Sequence, residues 1–400
     1  MTRIIQITYR FRLSPTAKQE ARLRQFAGAR RFVWNWGLAR KREHYQKTGK
    51  ILSYNALSRE LTVLKHHPET TWLNAMYAPS LQQALRDLEL SFQAFFRRVR
   101  TGAKKKGYPA FKSKKTDPLR FRMPQDVRIE GSYVRVPKIG LIKAIVHRPV
   151  VGTTKGATFK QAPDGYWYVY LVVEQVAADR QLRPVQTHVG VDVGLKSFSV
   201  LSNGETIANP RFYRTQMRKL ARTQRAMSRK QKDSRNRSKA RRKVERLHQK
   251  IANQRKDFLH KLSADLVRRF DLISIEDLSI RGLARTKLSM SVLDAGWGMF
   301  RQFLTYKAER QDRYLMIVGR FFASSKTCSA CGALTATLTL NDRTWICVCG
   351  AVHDRDLNAA LNIDTEGLRL FFEQHVAVGY PETQNACGVL VSPPIGGTER

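Results

Sequence analysis

Three acidic residues, carried by three separated segments, constrain this chain more than any other feature. Asp192 lies in VGVDVGLKSFSVLSNG, Glu276 in DLISIEDLSI and Asp356 in HDRDLNAALNI. The runs 188–193 and 272–276 are short, apolar and rich in β-branched residues, which is typical of buried strands. We therefore expect two core strands that each deliver a carboxylate at the end.

Metal binding is a function that the three acids can share. Carboxylates are the ligands that Mg²⁺ prefers, and Mn²⁺ is an alternative. Two such ions about 4 Å apart activate a water and stabilise the leaving oxygen when a phosphodiester is cut. Taken singly, each acid is more simply a strand-end or helix-capping residue. Taken together, Asp192, Glu276 and Asp356 indicate the metal site of a nuclease.

The charge of the chain points to a polyanionic partner. There are 72 Lys and Arg against 32 Asp and Glu in 400 residues, for a net charge of +40. This excess is too large for an ordinary enzyme of small molecules and suits nucleic acid. No secretory signal or apolar run of about 18 residues occurs, so we expect no membrane contact and a cytoplasmic location.

Four of the five cysteines form a cluster that indicates zinc. They occur as CSACG and CVCG, and both pairs precede a glycine as in the turns of zinc ribbons. The second pair is C-x-C, where most ribbons have C-x-x-C. Three outcomes stay open: a four-cysteine zinc site, a site in which His353 replaces one thiolate, and no site. Cys387 lies outside the cluster as an expected free thiol. The candidate zinc ligands are Cys328, Cys331, Cys347 and Cys349.

The first third of the chain predicts helices. Residues 16–47 are rich in helix formers, and a second helix is expected over 80–98. Apolar residues in that second segment recur at helical spacing, so we expect all of them in the core rather than stacked on bases. These residues are Leu81, Leu85, Leu88, Phe92 and Phe95.

A basic linker follows, and then a β-rich segment. Lys104, Lys105 and Lys106 lead into GYPAFKSKK, in which Tyr108 and Phe111 either stack on bases or anchor the loop. Alternating apolar runs over 119–176 predict strands, and Asp164-Gly165 predicts a hairpin turn.

The strongest charge run covers residues 211–261, with 20 Lys or Arg and three acids. Spaced apolar residues predict two long helices that break near 233–234, and a disordered basic arm is the alternative. Either form would bind a phosphate backbone without reading bases. The candidate contacts are Arg218, Arg222, Arg225, Arg229, Arg241 and Arg242.

The three acidic segments resemble the RuvC-type, ribonuclease H-like motifs of the TnpB (OrfB) family, the RNA-guided nucleases of insertion sequences. RFRLSPTAKQEARL, GYPAFKSKK, KDFLHKLS, LDAGWGMF and SSKTCSACG match as well, in the same order. The resemblance covers roughly residues 3–365. In the family the last catalytic acid stands two residues before the Asn of DxNAA, which favours Asp356 over Asp354.

The resemblance implies a multidomain α/β fold. A β-barrel (wedge) domain, 1–14 plus 118–180, is interrupted by a helical recognition domain, 15–117. A RuvC-like nuclease domain, 181–323 plus 350–366, carries the inserted basic helices and a zinc ribbon at 324–349. Residues 367–400 have no match in the family and are expected to form a flexible tail.

The resemblance also implies the activity and partners. A guide RNA would pair with target DNA, and the protein would read a short adjacent motif with residues near Tyr54 and Gln82. Packing and surface roles for these two residues stay open. The implied state is a monomer with RNA, and an element-encoded transposase is the implied functional partner.

Two other functions are weighed against this one. A DNA-binding or transposition-accessory protein without catalysis remains the alternative. A transposase of the paired-histidine type is disfavoured, because His66-His67 does not supply its motif.

Overall fold

The computed structural model describes residues 2–178, 184–335, 338 and 342–375. The chain divides into two compact units, Met1–Asp179 and Arg180–Arg400, and each has its own sheet. In the described part of the chain, no helix is both long and apolar enough to cross a membrane. Cys387 and the prolines and glycines near the carboxyl end lie outside the described residues.

The first unit begins with a strand and then forms its helices. The long first helix confirms the prediction: the Thr16 side chain accepts the Gln19 N–H, and the Gln19 side chain accepts the Thr16 N–H, which is a complete capping box. Gly49 ends this helix in the left-handed conformation, with φ 63°. The helices are α1 (Ala17–Thr48), α2 (Tyr54–Leu64), a 3-10 helix (Pro68–Ala75) and α3 (Ala78–Arg100).

Helix α3 confirms most of the predicted apolar stripe. Leu81, Leu85, Leu88 and Phe92 are buried. The prediction was wrong for Phe95, which is only half-buried. It lies outside the buried cluster that holds Phe92, and its ring packs edge-on against the partly exposed Tyr108, 5.2 Å between centroids. Phe95 therefore lies at the edge of the core.

Seven strands form the sheet of the first unit, in the order β2-β6-β7-β1-β5-β4-β3. The long first strand joins the two halves, since it pairs with both β5 and β7. The predicted turn at Asp164-Gly165 connects β6 and β7, and Gly165 has φ 90°. The strands are β1 (Thr2–Ser14), β2 (Arg120–Met123), β3 (Arg128–Glu130), β4 (Tyr133–Val136), β5 (Gly140–Ile145), β6 (Thr153–Gln161) and β7 (Trp167–Ala178).

The expected closed barrel does not form. Strands β2 and β3 are the two edges, and no ladder joins them among the described residues. Helices of the same unit fill the space against the sheet: Phe26 of α1 stacks on Phe121 of β2, 5.1 Å between centroids, within one shared core. An open sheet covered by helices buries its apolar face without closure.

The second unit contains a five-stranded sheet in the order β10-β9-β8-β11-β12. Strands β8 and β11 confirm the two predicted acidic strands with the predicted limits. They run parallel to each other, while β9 is antiparallel to β8. The strands are β8 (His188–Val193), β9 (Ser197–Leu201), β10 (Thr206–Ala208), β11 (Leu272–Glu276) and β12 (Tyr314–Val318).

Helices cover both faces of this sheet. Ile273 and Ile275 of β11 belong to the core formed with α5 and α8, whereas Leu272 packs with Phe371 of α9 on the other face. Helix α9 continues to its end at His375, so residues 367–375 are not the flexible segment that we expected. The helices are α4 (Phe212–Ser228), α5 (Arg235–Arg269), α6 (Ile280–Leu283), α7 (Ser289–Ala295), α8 (Trp297–Arg310) and α9 (Arg355–His375).

The basic run forms two helices, α4 and α5, as the apolar spacing predicted. Asp233, with φ 65°, lies between them, and the Ser234 side chain caps α5. Their contact buries Leu220 of α4 against Val244 and Ile251 of α5. This buried seam excludes the alternative of a disordered arm. A last small sheet pairs β13 (Thr344–Ile346) with β14 (Val352–Asp354).

Candidate metal centres and nucleic-acid surfaces

Asp192 and Glu276 lie at the same end of two neighbouring parallel strands. The register pairs Val191 of β8 with Ile275 of β11, so Asp192 and Glu276 are the next residues on each strand. Because the strands run in the same direction, their carboxyl ends meet at one edge of the sheet. The sheet thus places the two predicted acids side by side.

The third acid comes from the first turn of α9, which packs on β8, β11 and β12. Glycines allow this close packing. A Cβ on Gly190 would lie 2.1 Å from the carbonyl oxygen of Ala360, and one on Gly367 would lie 1.8 Å from Ser274 Oγ. Both separations are impossible for a side chain, so the two glycines set how close α9 lies to the sheet.

Asp354, the weaker candidate, has a different function. Its Oδ1 accepts the N–H groups of Asp356 at 3.0 Å and of Leu357 at 2.9 Å. These are the unpaired donors of the first turn of α9, so Asp354 caps the helix. The capping role leaves Asp356 as the acid that faces the other two.

The electrostatics of Asp192 reflect this proximity. Burial, followed by the charges of Glu276 and Asp356, raises the pKa of Asp192 to about 7, and Arg355 opposes the rise. Burial also raises the pKa of Glu276, against a hydrogen bond from Ser324. Carboxylates that repel each other at a site partly buried from solvent favour the binding of a cation.

Two of the acids have additional partners. Ser324 Oγ donates to Glu276 Oε1 at 2.5 Å, and Arg343 Nη1 donates to Asp356 Oδ1 at 3.3 Å. Within the described residues, only the cysteine cluster brings three or more ligand atoms within 4.8 Å of one another. The three carboxylates are therefore more widely spaced than the thiols.

A loop links the acidic site to the cysteines. The side-chain N–H groups of Asn358 and Asn362 on α9 donate to the carbonyl oxygens of Ser324 and Thr327, at distances from 2.6 to 3.4 Å. The Asn358 oxygen in turn accepts the Ser329 N–H at 2.9 Å. The segment between Glu276's partner Ser324 and Cys328 is therefore fixed to the helix that carries Asp356.

The four cysteines form one cluster, as predicted. Cys328 and Cys349 are 3.8 Å apart between sulfur atoms, and Cys331 and Cys347 are 3.6 Å apart. Strands β13 and β14 support the cluster, and Trp345 packs on His353 with 4.6 Å between ring centroids. Four thiols at these distances fit a tetrahedral zinc site.

The C-x-C spacing is accommodated by a shorter turn. In the first pair the Gly332 N–H donates to the Cys328 carbonyl, which closes a turn of five residues. In the second pair the Gly350 N–H donates to the Cys347 carbonyl, which closes a turn of four. Both glycines have left-handed φ, 76° and 85°. The second turn is thus one residue tighter and still directs both thiols to the cluster.

His353 remains a possible ligand. Its Nε2 lies 3.0 Å from Cys328 Sγ, and the residue is buried. Burial alone would raise the pKa of the Cys328 thiol. Hydrogen bonds from the Cys331 and Ala330 amides and from His353 outweigh it and lower the pKa to about 6. A hydrogen bond from the Ala333 amide lowers the pKa of Cys331, but bonding to the neighbouring thiols outweighs it and raises that pKa to about 12. The Cys328 thiolate forms easily, whereas ionising the Cys331 thiol calls for a cation.

The candidates for reading DNA lie together in the first unit. Arg86 Nε donates to the Tyr54 hydroxyl at 3.2 Å, and its guanidinium lies over the Tyr54 ring. Gln82 is exposed one turn before Arg86 on α3. Sequence reasoning did not single out Arg86 as a further candidate, although its spacing from Gln82 on a predicted helix was a usable signal.

The linker aromatic Tyr108 anchors the loop, and both linker rings stay partly exposed. Tyr108 packs edge-on against Phe92 and Phe95, yet 47% of it is exposed. Arg42 of α1 lies over the rings of Tyr108 and Phe111, at 5.2 and 4.8 Å from their centroids. Lys104, Lys105 and Lys106, which directly precede these aromatics, are exposed. Together with Arg42 and the two rings they form a cationic and aromatic surface.

All six arginines predicted on the basic helices are exposed. Among the described residues, Arg241 pairs with Glu245 at 3.4 Å, and no ion pair is found for the other five. They are available to phosphate groups. These five are Arg218, Arg222, Arg225, Arg229 and Arg242.

Comparisons with known proteins agree with this architecture. Three family models match: the IS605-type OrfB model described as "Probable transposase" over residues 170–287, "Cas12f1-like, TNB domain" over 297–363 and "Helix-turn-helix domain" over 1–50. In the described residues of 1–50 the structure has β1 and the single helix α1 rather than two helices.

Two curated relatives match along most of their length. A "Putative RNA-guided DNA endonuclease" of Streptomyces pristinaespiralis is 38% identical over 378 residues, covering 92% of this chain and 91% of the relative. The "Putative RNA-guided DNA endonuclease InsQ" of Escherichia coli (strain K12) is 33% identical, with 90% and 92% covered.

A solved Cas12f1–sgRNA–target DNA complex contains a chain with a similar fold. The TM-score is 0.55 at 13% identity, with 90% of this chain and 99% of that chain covered. At this identity the likeness concerns the fold alone. Together the matches define a protein of the OrfB class of IS605-type elements. The chain belongs to the TnpB (OrfB) family.

Proposed function

We propose that this protein is an RNA-guided DNA endonuclease that hydrolyses phosphodiester bonds at Asp192, Glu276 and Asp356. The observation that carries the proposal is the convergence of three acids from β8, β11 and α9, with the pKa of Asp192 raised by burial and by the other two. A structural role would not require three like charges at one edge of a sheet.

The residues present fit Mg²⁺. Asp192 and Glu276 would hold the metal from adjacent strands, and Asp356 from the start of α9. When bound, the metal would lower the pKa of a coordinated water and offset the charge that develops on the scissile phosphate. Ser324 would orient the Glu276 carboxylate. When the metal binds, the hydrogen bond from Arg343 to Asp356 would break, or the Arg343 side chain would move together with Asp356. Zinc, held by the cysteine cluster, would have a structural function.

The nucleic-acid partners are proposed from charge and from the relatives. The names of the two curated relatives include RNA guidance and DNA cleavage, and the Cas12f1 complex contains guide RNA and target DNA. The exposed arginines of α4 and α5 would bind phosphates of these strands. Tyr54, Gln82 and Arg86 would contact the motif beside the target.

Several finer features remain predictions. They are the division into wedge, recognition, nuclease and ribbon domains, the monomeric state with RNA, a cytoplasmic location and a functional link to a transposase. A second candidate function, a DNA-binding protein without catalysis, is separated from the proposal by the experiment below.

The test begins with the RNA that copurifies from the native locus after a high-salt wash. Sequencing should find one discrete species whose terminal segment matches DNA beyond the element. The complex is then given a target with that sequence. The parental protein should cut it in Mg²⁺, and Asp192→Ala should bind RNA and target without cutting. A discrete RNA with no cleavage by the parental protein would favour the non-catalytic function. Heterogeneous RNA would mean that the protein does not use a guide RNA.

A further inference from the structure

A cavity of about 310 Å³ opens beside the loop that follows Asp192, and three cationic side chains line it. Lys196 belongs to the turn between β8 and β9, Arg211 directly precedes α4, and Arg214 lies in the first turn of α4. All three are exposed, and none has an ion pair among the described residues. The cavity therefore carries positive charge that the protein leaves unpaired.

The one acid in the lining does not neutralise these cations. The Asp294 carboxylate is buried, and its Oδ1 accepts both the Tyr213 N–H and Arg255 Nη2 at 2.9 Å. Its charge is offset by Arg255 and by the amino-terminal end of α4. The cavity thus stays positive overall.

Hydrogen bonds hold the cationic segments in place. Asn209 Nδ2 donates to the Leu195 carbonyl at 3.0 Å, and Asn209 Oδ1 accepts the Arg211 N–H at 3.2 Å. The Gly194 N–H donates to the Phe198 carbonyl at 3.1 Å and closes the hairpin after β8. The cavity is thereby fixed to the strand that carries Asp192.

Arg211 has a backbone conformation that its side chain disfavours. Its φ and ψ are both 48°, in the left-handed region where Gly or Asn is usual. Such strain in a non-glycine residue is common at functional sites. Arg211 Nη2 donates to the carbonyl oxygens of Leu195 and Lys196 at 3.3 and 3.5 Å, so the strained backbone places this cation over the loop that follows Asp192.

We propose that this cavity binds a phosphate group of the nucleic-acid strand that is cut at Asp192, with the adjoining sugar or base against Leu288 and Met290. Two guanidinium groups and one ammonium group suit phosphate oxygens. Leu288 and Met290 line the same cavity and are 53% and 43% exposed. The inference rests on the proposed nuclease function and adds the site that positions the strand.

A matched pair of glycine substitutions tests the proposal. Arg211→Gly removes one cation and the backbone strain together. Lys138→Gly makes the same change in the first unit, at φ 61° in the turn between β4 and β5. Arg211→Gly also removes two long hydrogen bonds to the Leu195 and Lys196 carbonyls. Relief of the strain offsets this loss, so neither variant should lose thermal stability. In single-turnover cleavage of target DNA by the RNA complex, Arg211→Gly should be slower by about tenfold, from lost charge-assisted hydrogen bonds, and Lys138→Gly should equal the parent.

A second variant separates phosphate binding from the turn. Arg214→Ala leaves the backbone of α4 unstrained and should also slow cleavage. If Arg211→Gly and Arg214→Ala both cut at the rate of Lys138→Gly, the cavity does not position the strand. This result would leave the proposed function intact, because the parental complex still cuts.

If the parental complex does not cut DNA, the proposed function fails and the cavity is tested by binding alone. The probe is a fluorescent single-stranded oligonucleotide, titrated at several salt concentrations. Arg211→Gly should flatten the plot of log affinity against log salt by about 0.7, the value for one phosphate contact, and Lys138→Gly should not. Equal slopes for the two variants would overturn the inference.

Discussion

Gly190 in β8 lies directly beneath the carbonyl oxygen of Ala360 in α9, so close that a Cβ at Gly190 would be 2.1 Å from that oxygen. Ala360 is one turn after Asp356 on the same helix. Gly190 is two residues before Asp192 on the same strand. This contact therefore sets the distance between the strand that carries one acid and the helix that carries another.

We predict that Gly190→Ala separates α9 from the sheet. The clash is with backbone, which cannot rotate away, so the free energy of unfolding should fall by about 2–3 kcal/mol. Cleavage should be lost even at temperatures where the variant is folded. Chemical denaturation and a cleavage assay measure the two effects. Gly28→Ala is the control: it lies within α1 with open space around it, and should stabilise by about 0.5–1 kcal/mol.

The second close contact offers a compensating pair. A Cβ on Gly367 would lie 1.8 Å from Ser274 Oγ and 2.4 Å from Ser274 Cβ, both side-chain atoms. Gly367→Ala should destabilise the protein, and Ser274→Gly in the same chain should recover part of the loss. Thermal unfolding of the two single variants and the double variant gives the coupling. Additive losses would show that the two residues do not contact each other.

Asp192→Asn should stabilise the metal-free protein while it abolishes cleavage. Burial and the charges of Glu276 and Asp356 raise the pKa of Asp192 to about 7, above its ordinary value. The neutral acid therefore favours the fold at low pH, and this contribution disappears as the pH rises through 7. Asn stays neutral throughout.

In chelator at pH 8, Asp192→Asn should melt about 2–4 °C above the parent, and this gain should shrink toward pH 4. Asp257→Asn, at an exposed position of α5, should change little at either pH. A lower melting temperature for Asp192→Asn at pH 8 would mean that the three acids do not repel one another in the fold.

The sequence predicted the strands that carry Asp192 and Glu276 better than the architecture around them. Strands β8 and β11 and the pair of basic helices follow from local patterns of apolar residues, which a single chain displays. The open sheet of the first unit could not be predicted this way. Its edge strand β2 packs on a helix through Phe121 and Phe26, and local patterns do not show which element covers a strand. Gly190 and Gly367 were missed for the same reason: each is explained only by a residue far away in the chain.

Zinc binding should depend on Cys349 despite the short C-x-C turn. Its sulfur lies 3.8 Å from Cys328 Sγ, as a ligand of a shared ion requires. Cys349→Ser should lower the zinc content, measured by elemental analysis, from about one ion per chain. His353→Gln should keep the ion if the four thiols are the ligands. Loss of zinc in His353→Gln with retention in Cys349→Ser would instead assign His353 as the fourth ligand.

The contact between His188 of β8 and Asp364 of α9 should stabilise the protein to an extent that depends on pH. His188 Nδ1 lies 2.9 Å from Asp364 Oδ2, and this hydrogen bond raises the pKa of His188 above its ordinary value of 6.5. Ser202 Oγ also donates to Asp364 Oδ2, at 3.0 Å. The stabilisation from charged His188 is complete below the unfolded-state pKa and is lost as the pH rises through the folded-state value. The difference in melting temperature between the parent and His188→Gln should therefore be largest near pH 6 and smaller at pH 8.5. A difference that grows with pH would contradict a charged pair. A difference that is the same at every pH would mean that only the packing of the His188 ring contributes to stability.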